Sequence, residues 1–119
     1  GAVSTDGNRI SFFQMVDNRW KIGIISSNGG DILQRMDIPE WQKGSKVSWT
    51  SDNQNLVLMG AIGNIGNLWI LPVDGNTPKQ ITNFKSHYLE DFAMSANGKK
   101  IAVSRSKYLS DVVLIEKTD

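Results

Sequence analysis

Cysteine is absent from the 119-residue chain, so neither a disulfide framework nor a thiolate metal site can form. Cytoplasm and periplasm fit that absence equally, and the compartment stays open. Histidine occurs once, at His87. Without an HExxH segment or a histidine pair, a zinc site would need carboxylates gathered around that ring, so no metal and no other cofactor is expected. Charge of one sign is lacking too. Lys and Arg number 13 against 12 Asp and Glu, a net charge of +1, which points to neither nucleic acid nor an anionic membrane surface. No apolar run approaches the roughly 20 residues of a bilayer-spanning helix, and membrane insertion is not expected. No signal-peptide pattern is present, and Gly1 reads as a start inside a longer protein or a cloning remnant. Amphipathic helical stripes of useful length are missing as well.

What is present is strand and turn. Short apolar runs rich in β-branched and aromatic residues alternate with Asn, Asp, Gly and Ser clusters. Examples are RISFFQM, KIGIIS, KVSWT, NLVLMG, NLWILPV, KQITNF, DFAMS, KIAVSRS and DVVLI. Such side chains suit a pleated, half-buried surface.

The runs repeat. VSTDGNRISFF, WTSDNQNLVLM and MSANGKKIAVS align, so that Asp6, Asp52 and Asn97 fall 46 and 45 residues apart. Val3, Trp49 and Met94 keep the same register, as do Ile10, Leu56 and Ile101, and Phe12, Leu58 and Val103. Downstream, KIGIISSNGG lies on NLWILPVDGN, again 46 apart, and DVVLI lies on NLWIL. The pairs Asp6-Gly7, Asn28-Gly29, Asp74-Gly75 and Asn97-Gly98 predict tight turns with positive φ at both residues. Each copy therefore reads as four antiparallel strands. A period near 45 with four short strands is the signature of a β-propeller blade. One four-stranded sheet has two apolar faces, and radial stacking covers each with a neighbour. The expectation is all-β, with a first blade over about 1–39, a second over about 46–84 and a third over about 90–117 that lacks its outer strand.

These aligned residues carry a family resemblance. The pattern (W/M)S-x-(D/N)-(G/N)-x-x-(I/L)-x-(F/L/V), then (I/L)-W-x-x-x-x-D-G, then Q-I-T resembles the TolB-like, WD-type β-propeller repeat over nearly the whole chain. The middle copy fits best, with Trp49, Ser51, Asp52, Leu56, Leu58, Leu68, Trp69, Asp74, Gly75, Ile81 and Thr82. The usual proline before the Asx is missing, with Thr5, Ser51 and Ala96 in its place, and the first copy lacks the Leu-Thr ending, with Arg35-Met36 there instead. Residues 78–117 look like the terminal blades of propellers attached to bacterial serine/threonine kinases or winged-helix regulators. The resemblance implies a sensor or interaction module, often outside the membrane.

A closed propeller needs about four to eight blades. Fewer than three are here, so the chain is expected to be a fragment or to close by self-association, two copies making a six-bladed ring. The uncovered DVVLI edge invites a partner strand.

GAIGNIGNLW (60–69) has the spacing of a phosphate loop, but a strand and not a helix follows it. A long, mobile hairpin tip is expected instead. The serines recur at turn positions, and no G-x-S-x-G elbow occurs, so the chain is read as non-catalytic. Trp49 and Trp69 read as core between blades, and Trp20 is less fixed. The candidate binding residues lie in the crossings between blades: Trp41 and Lys43 in one, Lys85, His87 and Tyr88 in the other. Aromatic faces beside lysines suit a peptide segment or a carbohydrate. Three functions follow: a protein-interaction or ligand-sensing scaffold, the propeller of a prolyl-oligopeptidase-type peptidase with catalysis in another domain, or capture of a carbohydrate or small ligand.

Overall fold

The computed structural model describes residues 1–38, 46–107 and 110–116. Among the described residues, eleven strands fall into three antiparallel sheets. The first contains β1 (Ala2–Val3), β2 (Arg9–Val16), β3 (Arg19–Ser26) and β4 (Ile32–Asp37). The second contains β5 (Val47–Trp49), β6 (Asn55–Ile62), β7 (Ile65–Pro72) and β8 (Lys79–Gln80). The third contains β9 (Tyr88–Met94), β10 (Lys100–Ser106) and β11 (Ser110–Glu116). In each, sequence neighbours are spatial neighbours. The chain forms a segment of a β-propeller, with no helix among the described residues.

Strand alternation decides the packing. On β6, Leu56 and Leu58 face the first sheet while Val57 and Met59 face the third. The first core therefore joins Ile22, Ile24 and Met36 to Trp49, Leu56, Leu58 and Leu71. The second joins Val57, Leu68 and Ile70 to Phe92, Ile101 and Val103. The middle sheet is apolar on both faces because both are covered, and successive strand side chains point to opposite faces.

The turn between the first two strands of each sheet is the same device three times. Ser4, Thr50 and Ser95 donate their hydroxyl protons to Asp6, Asp52 and Asn97. Those Asx oxygens also accept the backbone N–H two residues on, from Asn8, Gln54 and Lys99. The hydroxyl oxygens accept N–H from Arg9, Asn55 and Lys100. Positive φ falls on the second turn residue alone: Gly7 at 76°, Asn53 at 60° and Gly98 at 72°. The expectation of positive φ at both residues is thus corrected, since the Asx serves as a hydrogen-bond acceptor. Both residues do take positive φ at Asp17 (51°) and Asn18 (63°), in the β2–β3 turn.

Two segments differ in length from expectation. β6 and β7 continue pairing out to Ile62 and Ile65, so the expected long glycine loop is a two-residue turn at Gly63–Asn64. Gly60 and Gly66 lie inside strands. KQITNF is a strand only at Lys79–Gln80. Beyond Ile81 its path is held by side chains: the Thr82 hydroxyl accepts the Leu68 N–H at 2.8 Å and donates to Asn67. Trp49 is buried as expected, Trp69 is half-buried, and Trp20 is 40% exposed, edge-on to Phe13.

Candidate functional site

Antiparallel order puts the β6–β7 turn, the β10–β11 turn and the β8–β9 crossing at one end of the molecule. There the crossing is pinned from three sides. Asn67 of β7 accepts the Phe84 N–H at 2.7 Å, and its amide donates back to the Phe84 carbonyl. Gly66 donates its N–H to the His87 carbonyl at 3.0 Å. The Arg105 guanidinium stacks 3.9 Å from the Phe84 ring centre and donates to the Ser86 carbonyl at 2.8 Å. Gly66 is required here, because a Cβ at that position would stand 2.7 Å from the Leu89 backbone nitrogen.

The pinned segment borders an open cleft of about 380 Å³ lined by Asn64, Ile65, Lys85, Ser86, His87, Tyr88 and Lys107. His87 has φ of 79°, unusual for a residue with a Cβ. Its Nδ1 lies 2.7 Å from the Ser86 hydroxyl. Lys85 donates to Asn83 at 3.1 Å, and Tyr88 is 49% exposed. Positive φ is a strain the surroundings must sustain, and the bonds to the neighbouring carbonyls of Phe84, Ser86 and His87 do so.

The structure therefore brings together Lys85, His87 and Tyr88. Trp41 and Lys43 lie outside the described residues. Sequence reasoning missed Asn64, Ile65 and Lys107. Their signal was available: both turns join the second and third strands of a blade, and strand count alone places them at the end where the crossing arrives. Arg105 was also missed, although it continues the inward alternation of Ile101 and Val103 and so points toward the second sheet. Among the described residues, no group of three His, Asp or Glu is arranged to hold a metal ion.

Three aspartates elsewhere have carboxyls held below the ordinary 3.8. Asp6 is lowered first by the Ser4 hydroxyl, Asp37 by its hydrogen bond from Lys21, and Asp91 by that from Lys46. The last links two sheets, at 2.7 Å.

Solved structures share this fold. TolB from Acinetobacter baumannii matches 97% of this chain with a TM-score of 0.77 at 19% identity. A structure assigned to TolB from Agrobacterium tumefaciens also matches 97%, with a TM-score of 0.76 at 15% identity. The fold is that of a TolB-like propeller. A structure from work on two prolyl endopeptidases matches 98% with a TM-score of 0.68 at 14% identity. The chain covers 29%, 44% and 20% of those three chains, less than half of each. No protein-family model and no curated protein matches it.

Proposed function

We propose that this chain is part of a non-catalytic propeller scaffold whose crossing end binds an extended segment of a partner protein. The observation that carries this reading is the cleft beside Tyr88. Its floor is a backbone fixed by Asn67, Gly66 and Arg105, and its wall offers an exposed phenol ring, Ile65 and two lysines. Rigid placement lowers the ordering cost of binding. A ring face with flanking cations suits a peptide carrying an aromatic or acidic side chain. The likeness to TolB structures supports a bacterial envelope or signalling context, outside the cytoplasm, with or without a linked kinase or winged-helix domain.

The test is a peptide library screened by thermal shift and then by calorimetry. Tyr88→Ala and Lys85→Ala should each weaken a captured peptide roughly 5- to 30-fold, a loss of about 1–2 kcal/mol, without changing the unfolding midpoint. Binding that survives both changes would remove the cleft from the account. Glycans stabilising the chain where peptides do not would favour carbohydrate capture.

A second reading, the propeller of a peptidase with its serine in another domain, is favoured by the prolyl endopeptidase likeness. An α/β-hydrolase segment in the remainder of a longer sequence would support it, and a kinase or winged-helix segment would oppose it.

A further inference from the structure

We propose that the exposed turn at Asn28-Gly29 is a site of spontaneous deamidation, and that the fold shields the chain's other Asn-Gly pair, Asn97-Gly98, from the same reaction. Asn-Gly occurs only at these two places. In the reaction the glycine nitrogen, its proton given up to a base, attacks the side-chain Cγ of the asparagine. A C–N bond forms, ammonia leaves carrying a proton returned by the solvent, and a cyclic imide remains. Water then opens the imide at one of its two carbonyls, giving aspartate or isoaspartate. Glycine favours the attack because no Cβ crowds its nitrogen.

In their backbones the two turns are alike. Gly29 donates its N–H to the Ser26 carbonyl and Gly98 to the Ser95 carbonyl, both at 2.9 Å. Both glycines take positive φ, 86° and 72°. Freeing the glycine N–H is therefore a similar cost in each, and the side chains decide. The Asn97 Oδ1 accepts the Ser95 hydroxyl at 2.7 Å and the Lys99 N–H at 3.0 Å. Forming the imide draws the side chain off its staggered rotamer, so both bonds must break first. Gly98 is also packed: a Cβ there would stand 2.5 Å from the Ser51 hydroxyl. At Asn28 the backbone N–H alone is engaged among the described residues, with the Ser26 hydroxyl at 3.2 Å. A Cβ on Gly29 would meet nothing within 4 Å. A neighbouring sheet does not close this turn. Its repeat on the second sheet, residues 74–77, has the first sheet beside it and is still exposed. The aspartate product suits the fold, because Asp74 already stands at the repeat of Asn28 and accepts the Asn76 N–H at 2.9 Å. Conversion takes the net charge from +1 to zero. Isoaspartate instead lengthens the backbone within the turn.

The test incubates the 119-residue chain in mildly alkaline buffer, folded and in urea. Peptide masses follow the loss of each amide, and isoaspartate-specific methylation follows the second product. In the folded chain Asn28 should convert while Asn97 lags by roughly 5- to 150-fold, the factor set by two hydrogen bonds that must break first. In urea the two rates should converge. Ser95→Ala removes one tether and should speed Asn97 in the folded chain about 2- to 10-fold, with circular dichroism checking that the strands remain. If that variant unfolds, the comparison of folded and urea-treated wild-type chain decides alone. Equal rates at the two sites in the folded chain, an unreacted Asn28 there, or a rate difference that persists in urea would overturn the proposal.

Discussion

Gly66 illustrates how a single missing methyl group can place a site. Its N–H holds the His87 carbonyl, and its bare Cα lets Leu89 approach to where a Cβ would stand. Gly66→Ala should destabilise the chain by about 1–3 kcal/mol, the usual cost of overpacking against backbone, read as a lower urea midpoint at constant slope. Gly63, whose Cβ would meet nothing, faces only the cost of positive φ. The lowered carboxyls set a pH dependence at the same scale. A carboxyl lowered by folding contributes stability above its unfolded value and loses it as pH falls through the folded value. Asp6, Asp37 and Asp91 should therefore weaken the fold as pH drops below about 3.8. Acid titration of thermal midpoints checks this, and Lys46→Met should reduce the slope there by removing the partner of Asp91.

At the scale of the element, the hydroxyl-Asx turn is the repeating joint. Thr50 is almost fully buried, and its hydroxyl serves Asp52 and the Asn55 N–H together. Thr50→Val keeps the volume and leaves the Asn55 N–H without its acceptor, so it should cost about 1–3 kcal/mol, measured as unfolding free energy. Ser95→Ala, at the more exposed copy, should cost less. The strands and their repeat were legible in the sequence because a two-residue alternation punctuated by Asx-Gly fits strands joined by tight turns and little else. The turn chemistry was less so. Asp17-Asn18, lacking glycine, carries the paired positive φ that was expected at Asp6-Gly7. The glycines of 60–66 looked like a loop because close approach and turn formation leave the same residue type in a sequence. Of the site, Lys85, His87 and Tyr88 were legible as crossing residues. Lys107 and Asn64 reach it only through strand pairing between distant segments, and Arg105 through the face its strand turns inward.

At the scale of the molecule, one principle organises the chain: a small sheet has two apolar faces, and near-copies stacked side by side cover them. The middle sheet then differs from an ordinary surface sheet, because substitutions on its opposite faces must both be felt. Leu56 faces the first sheet and Leu68 the third, and both are fully buried. The most direct measurement is the urea unfolding free energy of Leu56→Ala and Leu68→Ala beside the unaltered chain. The stacked arrangement predicts a loss of about 2–5 kcal/mol for each. A loss of less than about 0.5 kcal/mol for either, the range of surface substitutions, would mean that one face of the middle sheet is open to water, and would contradict it.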